Sequence, residues 1–200
     1  FGMDESYVVS EFERMLPTLL MGTSRVGYRL GLDEARDRKV LRCLDQVRAK
    51  MGRSGQGLIP LFDPYLPIGE MRLFKDAEEI ELMRRSCQIT AESHVEVMKQ
   101  VRPGMNEFEV EAIVNYEFTR RGCRRLGYGS IVAGGKNAAC LHYRSNNEVL
   151  RDGDLLLIDA GGEYEMFSAD ITRTFPVGRT FSAAQAKIYD LVLKSQLAGI

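Results

Sequence analysis

The sequence predicts an α+β chain in two units, 1–68 and 69–200, on three observations. Helical apolar periodicity marks Asp33–Met51, Asp76–Val101 and the segment after Ser182, outside a block of β-prone runs. That block, between Leu126 and Phe175, joins its runs by glycine-containing turns, the signal of antiparallel hairpins rather than of a doubly wound parallel sheet. A proline-rich stretch, Leu58–Ile68, separates the two units.

In the first unit, Ser10–Met21 predicts a short amphipathic helix with a kink or break at Pro17. Val26–Leu30 reads as a short strand. Asp33–Met51 reads as a helix, with Val40, Leu41, Leu44, Val47 and Met51 near the 3.6-residue period. Gly52–Gly57 is a turn, and Leu58–Ile68, carrying Pro60, Pro64 and Pro67, an extended linker. No residue here has a chemical signature, so the unit reads as a helper or lid of α/β type.

The second unit opens with a helix over Asp76–Val101. Its expected apolar stripe is Ile80, Met83, Cys87, Thr90, Ala91, His94, Met98 and Val101. Asn106 caps the next helix, with Glu109 completing a capping box and Gly122 at its end. Leu126–Ala133 and Ala138–Tyr143 read as strands around the turn Gly134-Gly135-Lys136-Asn137. Asp152-Gly153 turns the chain into Asp154–Val177, and Ser182 with Gln185 caps a last helix through Ile188, Leu191 and Val192.

The stretch Asp154–Val177 carries the chemistry. An apolar run, Leu155–Ile158, and a β-rich run, Phe167–Phe175, flank Gly161-Gly162-Glu163-Tyr164-Glu165 and predict one hairpin. A turn centred between Tyr164 and Glu165 places Asp159 directly opposite Asp170. Leu157 and Thr172 share their face, and Ile158, Ala160 and Ile171 point the other way. Opposed like charges destabilise a strand pair, and burial of the strand adds to that cost. A shared proton, a basic side chain or a metal would relieve it; a bridging carboxylate suits a two-metal site. Hard oxygen ligands favour manganese, with zinc or cobalt as alternatives. The plain structural reading is that both aspartates are solvated turn or edge residues.

Composition narrows the function classes. A formal net charge of −1 gives no general attraction to nucleic acid or to an anionic membrane. There is no run of 18 apolar residues and no charged-then-apolar leader, so the chain reads as soluble and unexported. Cys43, Cys87, Cys123 and Cys140 lie far apart without a CxxC pair, which suits reduced thiols and a cytoplasmic compartment. His142, in the expected strand Ala138–Tyr143, can serve a substrate oxygen or a metal, or simply pack in the core; His94, on a helix stripe, reads as structural. Gly134-Gly135-Lys136 lacks the flanking residues of a phosphate loop, and Arg120-Arg121 with Arg124-Arg125 reads as a solvated helix end. The start at Phe1-Gly2 and the stop at Ile200 within a helical pattern suggest a fragment.

Four stretches together resemble one family: Ile131–Asn137, Leu141-His142-Tyr143, Ile158–Tyr164 and Ser168–Pro176. They are similar to the Xaa-Pro aminopeptidase (aminopeptidase P) branch of the pita-bread metallopeptidases, from about Arg72 onward; Ile171–Pro176 favours that branch over prolidase. The first unit looks like the tail of the amino-terminal, creatinase-like domain of these enzymes, and the second like the first part of the pita-bread catalytic domain.

The resemblance implies removal of an N-terminal residue that precedes proline, by attack of a metal-bridging hydroxide. Asp159 would chelate one of two divalent ions, usually manganese, and Asp170 would bridge both. His142 would bind substrate and steady the oxygen of the peptide bond before proline. Tyr128 would lie near the substrate pocket, and Thr172 would hydrogen-bond a ligand carboxylate. A histidine and two glutamates, one of them the general acid–base, would follow Ile200, so the 200-residue chain alone is expected to be inactive and to bind divalent ions weakly. The implied partners are Xaa-Pro peptides and a homo-oligomer, without nucleic acid or membrane. Prolidase, or a pita-bread protein that binds peptides without cleaving them, are the rival readings.

Overall fold

The structure, a computed structural model, describes residues 4–52, 59–178 and 180–200. The expected turn at Gly52–Gly57 falls outside them beyond Gly52, as do Leu58 and the start at Phe1-Gly2. Two compact units are present, Phe1–Phe74 and Lys75–Ile200.

In the first unit a 3-10 turn, Val9–Glu11, leads into α1 (Phe12–Leu20), which continues unbroken through the buried Pro17. The expected strand Val26–Leu30 shortens to β1 (Val26–Gly27), paired in parallel with β2 (Leu61–Phe62). Between them runs α2 (Glu34–Met51), capped by the Asp33 carboxylate, which accepts from Arg36 N at 3.0 Å. It buries Val40, Cys43 and Val47, while Leu41 stays exposed. The expected linker is extended only as far as β2, because Tyr65–Leu73 is a helix, α3. Pro64 stands at its N-cap and Pro67 in its first turn, where the missing N–H has no intrahelical partner to lose. The unit therefore closes after α3 rather than at residue 68.

The second unit starts with α4 (Ala77–Gln100), opened by an Asp76–Glu79 capping box. Its buried face is Ser86, Ile89, Thr90, Ser93, His94 and Val97, whereas Ile80, Met83 and Cys87 of the expected stripe are exposed or nearly so. Small hydroxyl residues form this face because they bond to the sheet: Ser86 Oγ donates to Gly162 O at 2.9 Å, and Gly162 N donates to Thr90 Oγ1 at 3.1 Å. The Asn106–Glu109 capping box opens α5 (Glu107–Arg120) as expected.

Eight strands form three sheets among the described residues: the β1–β2 pair and two three-stranded antiparallel sheets. One of these has the order β3 (Arg125–Leu126), β6 (Gly162–Tyr164), β7 (Phe167–Ser168); the other has β4 (Ile131–Gly134), β5 (Leu155–Ala160), β8 (Ile171–Pro176). The strand expected over Ala138–Tyr143 is instead a 3-10 turn, Gly135–Ala139, and a loop. Residues from β5 through β8 form one continuous ribbon that passes from one sheet into the other. Its turn is centred between Glu165 and Met166, both with positive φ (46° and 71°), one residue later than expected. Gly161 and Gly162 serve close packing rather than the turn. A Cβ on Gly161 would collide with the Ala169 carbonyl, and one on Gly162 would sit 2.7 Å from Cys123 Sγ.

Helix α4 lies against β6, β7 and β8, and α5 against β4. Ile89, Val97, Val110, Val114 and Phe118 from these helices meet Val132, Leu156, Ile158 and Ala160 from the strands in one core. A last helix, α6 (Ala183–Gly199), is opened by the Ser182–Gln185 capping box. Cys43, Cys87, Cys123 and Cys140 are free thiols.

Gly161→Ala should lower stability to chemical denaturation by about 1–3 kcal/mol through overpacking. Gly69→Ala, in α3 with nothing within 4 Å, should be neutral or stabilising by up to about 1 kcal/mol. His94 tests the core by pH. Burial pushes its pKa below 6.5, opposed by the Thr90 carbonyl at 2.9 Å from Nδ1. A lowered histidine pKa gives stability that is present above 6.5 and declines as pH falls through the folded value. His94→Asn should flatten that decline in denaturation curves taken between about pH 7 and pH 5.

Candidate metal centre

Alternation along β5 decides which side chains reach the open side of the sheet. Leu156, Ile158 and Ala160 are buried against the helices, and Leu155, Leu157 and Asp159 face the other way, half-buried. The β5–β8 register pairs Asp159 with Thr172 and Ala160 with Ile171, so Asp159 is not directly opposite Asp170. The one-residue displacement of the turn shifts each cross-strand partner by two positions, an even step that keeps the same face. Asp170 stands immediately before β8, diagonal to Asp159, and is exposed.

Tyr128 joins the two carboxylates. It lies between β3 and β4, flanked by Gly127 and Gly129, and Gly127 N donates to Gly161 O at 2.9 Å, holding this segment against the ribbon. A Cβ on Gly127 would meet Ser168 Cβ at 2.8 Å, so only glycine allows that approach. The half-buried Tyr128 hydroxyl makes a short hydrogen bond to Asp159 Oδ1 and lies 3.0 Å from Asp170 Oδ1. Burial, then the two aspartate bonds, then the negative charges push its pKa well above the usual tyrosine value, so the hydroxyl stays protonated. One phenol carries one proton and can donate to only one of the two acceptors. The pair is thus one donor short.

That shortage, with hard oxygen donors on an open sheet face, fits a divalent cation held by Asp159 and Asp170. Among the described residues no group of three or more His, Cys, Asp or Glu is arranged to hold a metal. His142 is not in a strand. It is exposed, with φ 54°, in the loop after the Gly135–Ala139 turn, and among the described residues no hydrogen bond joins it to either aspartate. The structure therefore brings Asp159, Asp170 and Tyr128 together and puts Thr172 opposite Asp159.

The model of metallopeptidase family M24 matches residues 81–200. The chain belongs to this family. It is 41% identical to the Xaa-Pro aminopeptidase of Escherichia coli strain K12 over 97% of its own length and 44% of that protein's. A second relative, the Xaa-Pro dipeptidase of Mus musculus, is 43% identical over 133 residues, 64% of this chain and 27% of that protein. The structure of Pseudomonas aeruginosa aminopeptidase PepP superposes with a TM-score of 0.91 at 38% identity, covering 99% of this chain and 45% of that one. The M24 chain thus has the pita-bread fold and spans a little under half the length of those aminopeptidases.

The sequence offered one signal for the Tyr128 tether, the glycines on either side of it. It offered none for two polar anchors of the His142 loop, Glu107 and Asn146, which are remote in the chain from what they hold.

Without metal, Asp170→Asn should stabilise the protein by about 0.5–1 kcal/mol, because the amide can donate to the Tyr128 oxygen and give each acceptor its donor. Thermal unfolding in chelator checks this; a lowered midpoint would contradict the donor shortage.

Proposed function

We propose that the full-length protein is a metal-dependent aminopeptidase that removes an N-terminal residue preceding proline. The convergence of Asp159 and Asp170 on a single hydroxyl, in an M24 chain, carries this reading. Asp159 and Asp170 would hold the divalent ions, with manganese as the resident metal and zinc or cobalt as substitutes. Bound there, such ions supply Lewis acidity and a lowered pKa for water.

The chain's own residues position the reactants. Tyr128 keeps its proton and stands within hydrogen-bond reach of both carboxylates, donating to one Oδ1 atom at a time. His142, exposed on its loop, donates to the substrate oxygen ahead of proline, and Thr172, facing the aspartate side, hydrogen-bonds a ligand carboxylate. Xaa-Pro peptides are the substrates, and the protein works as a homo-oligomer in a cytoplasmic, reducing compartment that suits its free thiols. Among the described residues no helix is long and apolar enough to cross a membrane.

Xaa-Pro dipeptidase activity is the second reading, favoured by the 43% identity to the mouse dipeptidase. Cleavage of Xaa-Pro peptides longer than a dipeptide separates the two. In the full-length protein, Asp170→Ala should abolish release of the residue before proline even in excess manganese, measured by product chromatography. Near-normal turnover would contradict the assignment.

A further inference from the structure

The geometry points to Glu107 as the positioning residue for His142: its carboxylate, with Tyr143 as the link, sets the course of the loop that carries that ring. This inference rests on the substrate-binding role proposed for His142.

Glu107 is fully buried in the first turn of α5, the helix that packs against β4. Its Oε1 accepts from Gly134 N at 2.7 Å and Asn137 Nδ2 at 3.1 Å; its Oε2 accepts from the Tyr143 hydroxyl at 2.8 Å and Glu148 N at 3.0 Å. Four donors spread along the β4–β5 connection thus converge on one carboxylate. They include both ends of the loop and the residue next to His142. Burial alone would raise this carboxyl's pKa, yet the four bonds outweigh it and hold the group ionised below its ordinary value. An unpaired carboxylate would be strongly disfavoured at a fully buried position, and the loop wrapped around Glu107 supplies its partners.

The loop needs such a fixture. His142 (φ 54°) and Asn146 (φ 43°) both adopt the left-handed region that side chains avoid. Asn146 acts as a second anchor. Its Oδ1 accepts from Val132 N at 3.0 Å, and its Nδ2 donates to Ser130 O and Glu111 Oε2, each at 2.9 Å. Backbone bonds from Glu107 N to Glu148 O and from Leu150 N to Met105 O (3.0 and 2.8 Å) tie the far end to the start of α5. Tyr143 is the one side chain beside His142 that reaches the buried carboxylate. Removing its hydroxyl frees the histidine's neighbour while the backbone anchors stay in place.

The test uses the full-length, metal-loaded protein with Tyr143→Phe and Glu107→Gln, each alone and combined with His142→Ala. Tyr143→Phe should lower kcat/KM on an Xaa-Pro peptide about tenfold, and Glu107→Gln by up to about a hundredfold, with bound divalent metal unchanged. In the His142→Ala background neither should cost anything further, because both act through that ring. Losses that add in the double variants, or metal content that falls with activity, would overturn the inference. Hydrogen exchange gives a readout without turnover: the amides of Gly134 and Glu148 should exchange faster in Glu107→Gln, with Leu156 and Ile158 unchanged. Equal protection in variant and wild type would overturn it as well. An inactive wild type would instead mark failure of the functional reading, while the exchange measurement still decides the role of Glu107.

Discussion

Two carboxylates converge on one hydroxyl that has a single proton to give. The β5–β8 ribbon and the segment that carries Tyr128 arrange that convergence. Asp159 reaches the open face because Leu156, Ile158 and Ala160 occupy the other side of the same strand. Asp170 comes to the same place because the ribbon runs through its turn in one unbroken register. Tyr128 arrives from outside the ribbon, between glycines that let its backbone press against Gly161 and Ser168. A fold that only needed stability would neutralise one of the two acids. Keeping both, with one phenol between them, fits the proposal that a cation completes the site.

The helix side of the sheet supplies rigidity by polar as well as apolar means. Phe118, Val114 and Ile89 fill the core, but Ser86 and Thr90 fasten α4 to the backbone of Gly162, three residues beyond Asp159. Glu107 does the corresponding work from α5, drawing the β4–β5 connection around a buried charge. Such groups are costly if half-satisfied and specifying when complete, since no other arrangement of the loop provides the same four donors.

Much of this was legible in the sequence, and the failures have identifiable causes. Period-two alternation put Asp159, Asp170 and Thr172 on one face, and that survived a misplaced turn because the error moved partners by an even number of residues. The turn itself was missed because Glu165 and Met166, which adopt positive φ there, are not residues that announce it, whereas Gly161-Gly162 were present for close packing. The expected stripe of α4 caught Thr90 and His94 but ran through Met83 and Cys87, because Ser86 counts as polar until its backbone partner 76 residues away is seen. Ala138–Tyr143 has strand-like composition, but its neighbourhood spends its hydrogen bonds on Glu107 instead of a ladder. Capping boxes at Asn106–Glu109 and Ser182–Gln185 were read correctly because they are local, complete within four residues. Prolines misled in the opposite direction: Pro64 and Pro67 suggested a linker but occupy the start of a helix, where they are tolerated.

The proposed metal site lies at Asp159 and Asp170, whose carboxylates share one hydroxyl. Anomalous diffraction from manganese-soaked crystals of the full-length protein tests it most directly. A manganese peak within bonding distance of carboxylate oxygens of both aspartates is the expected result. Strong peaks elsewhere, with both carboxylates still turned only to Tyr128, would contradict it.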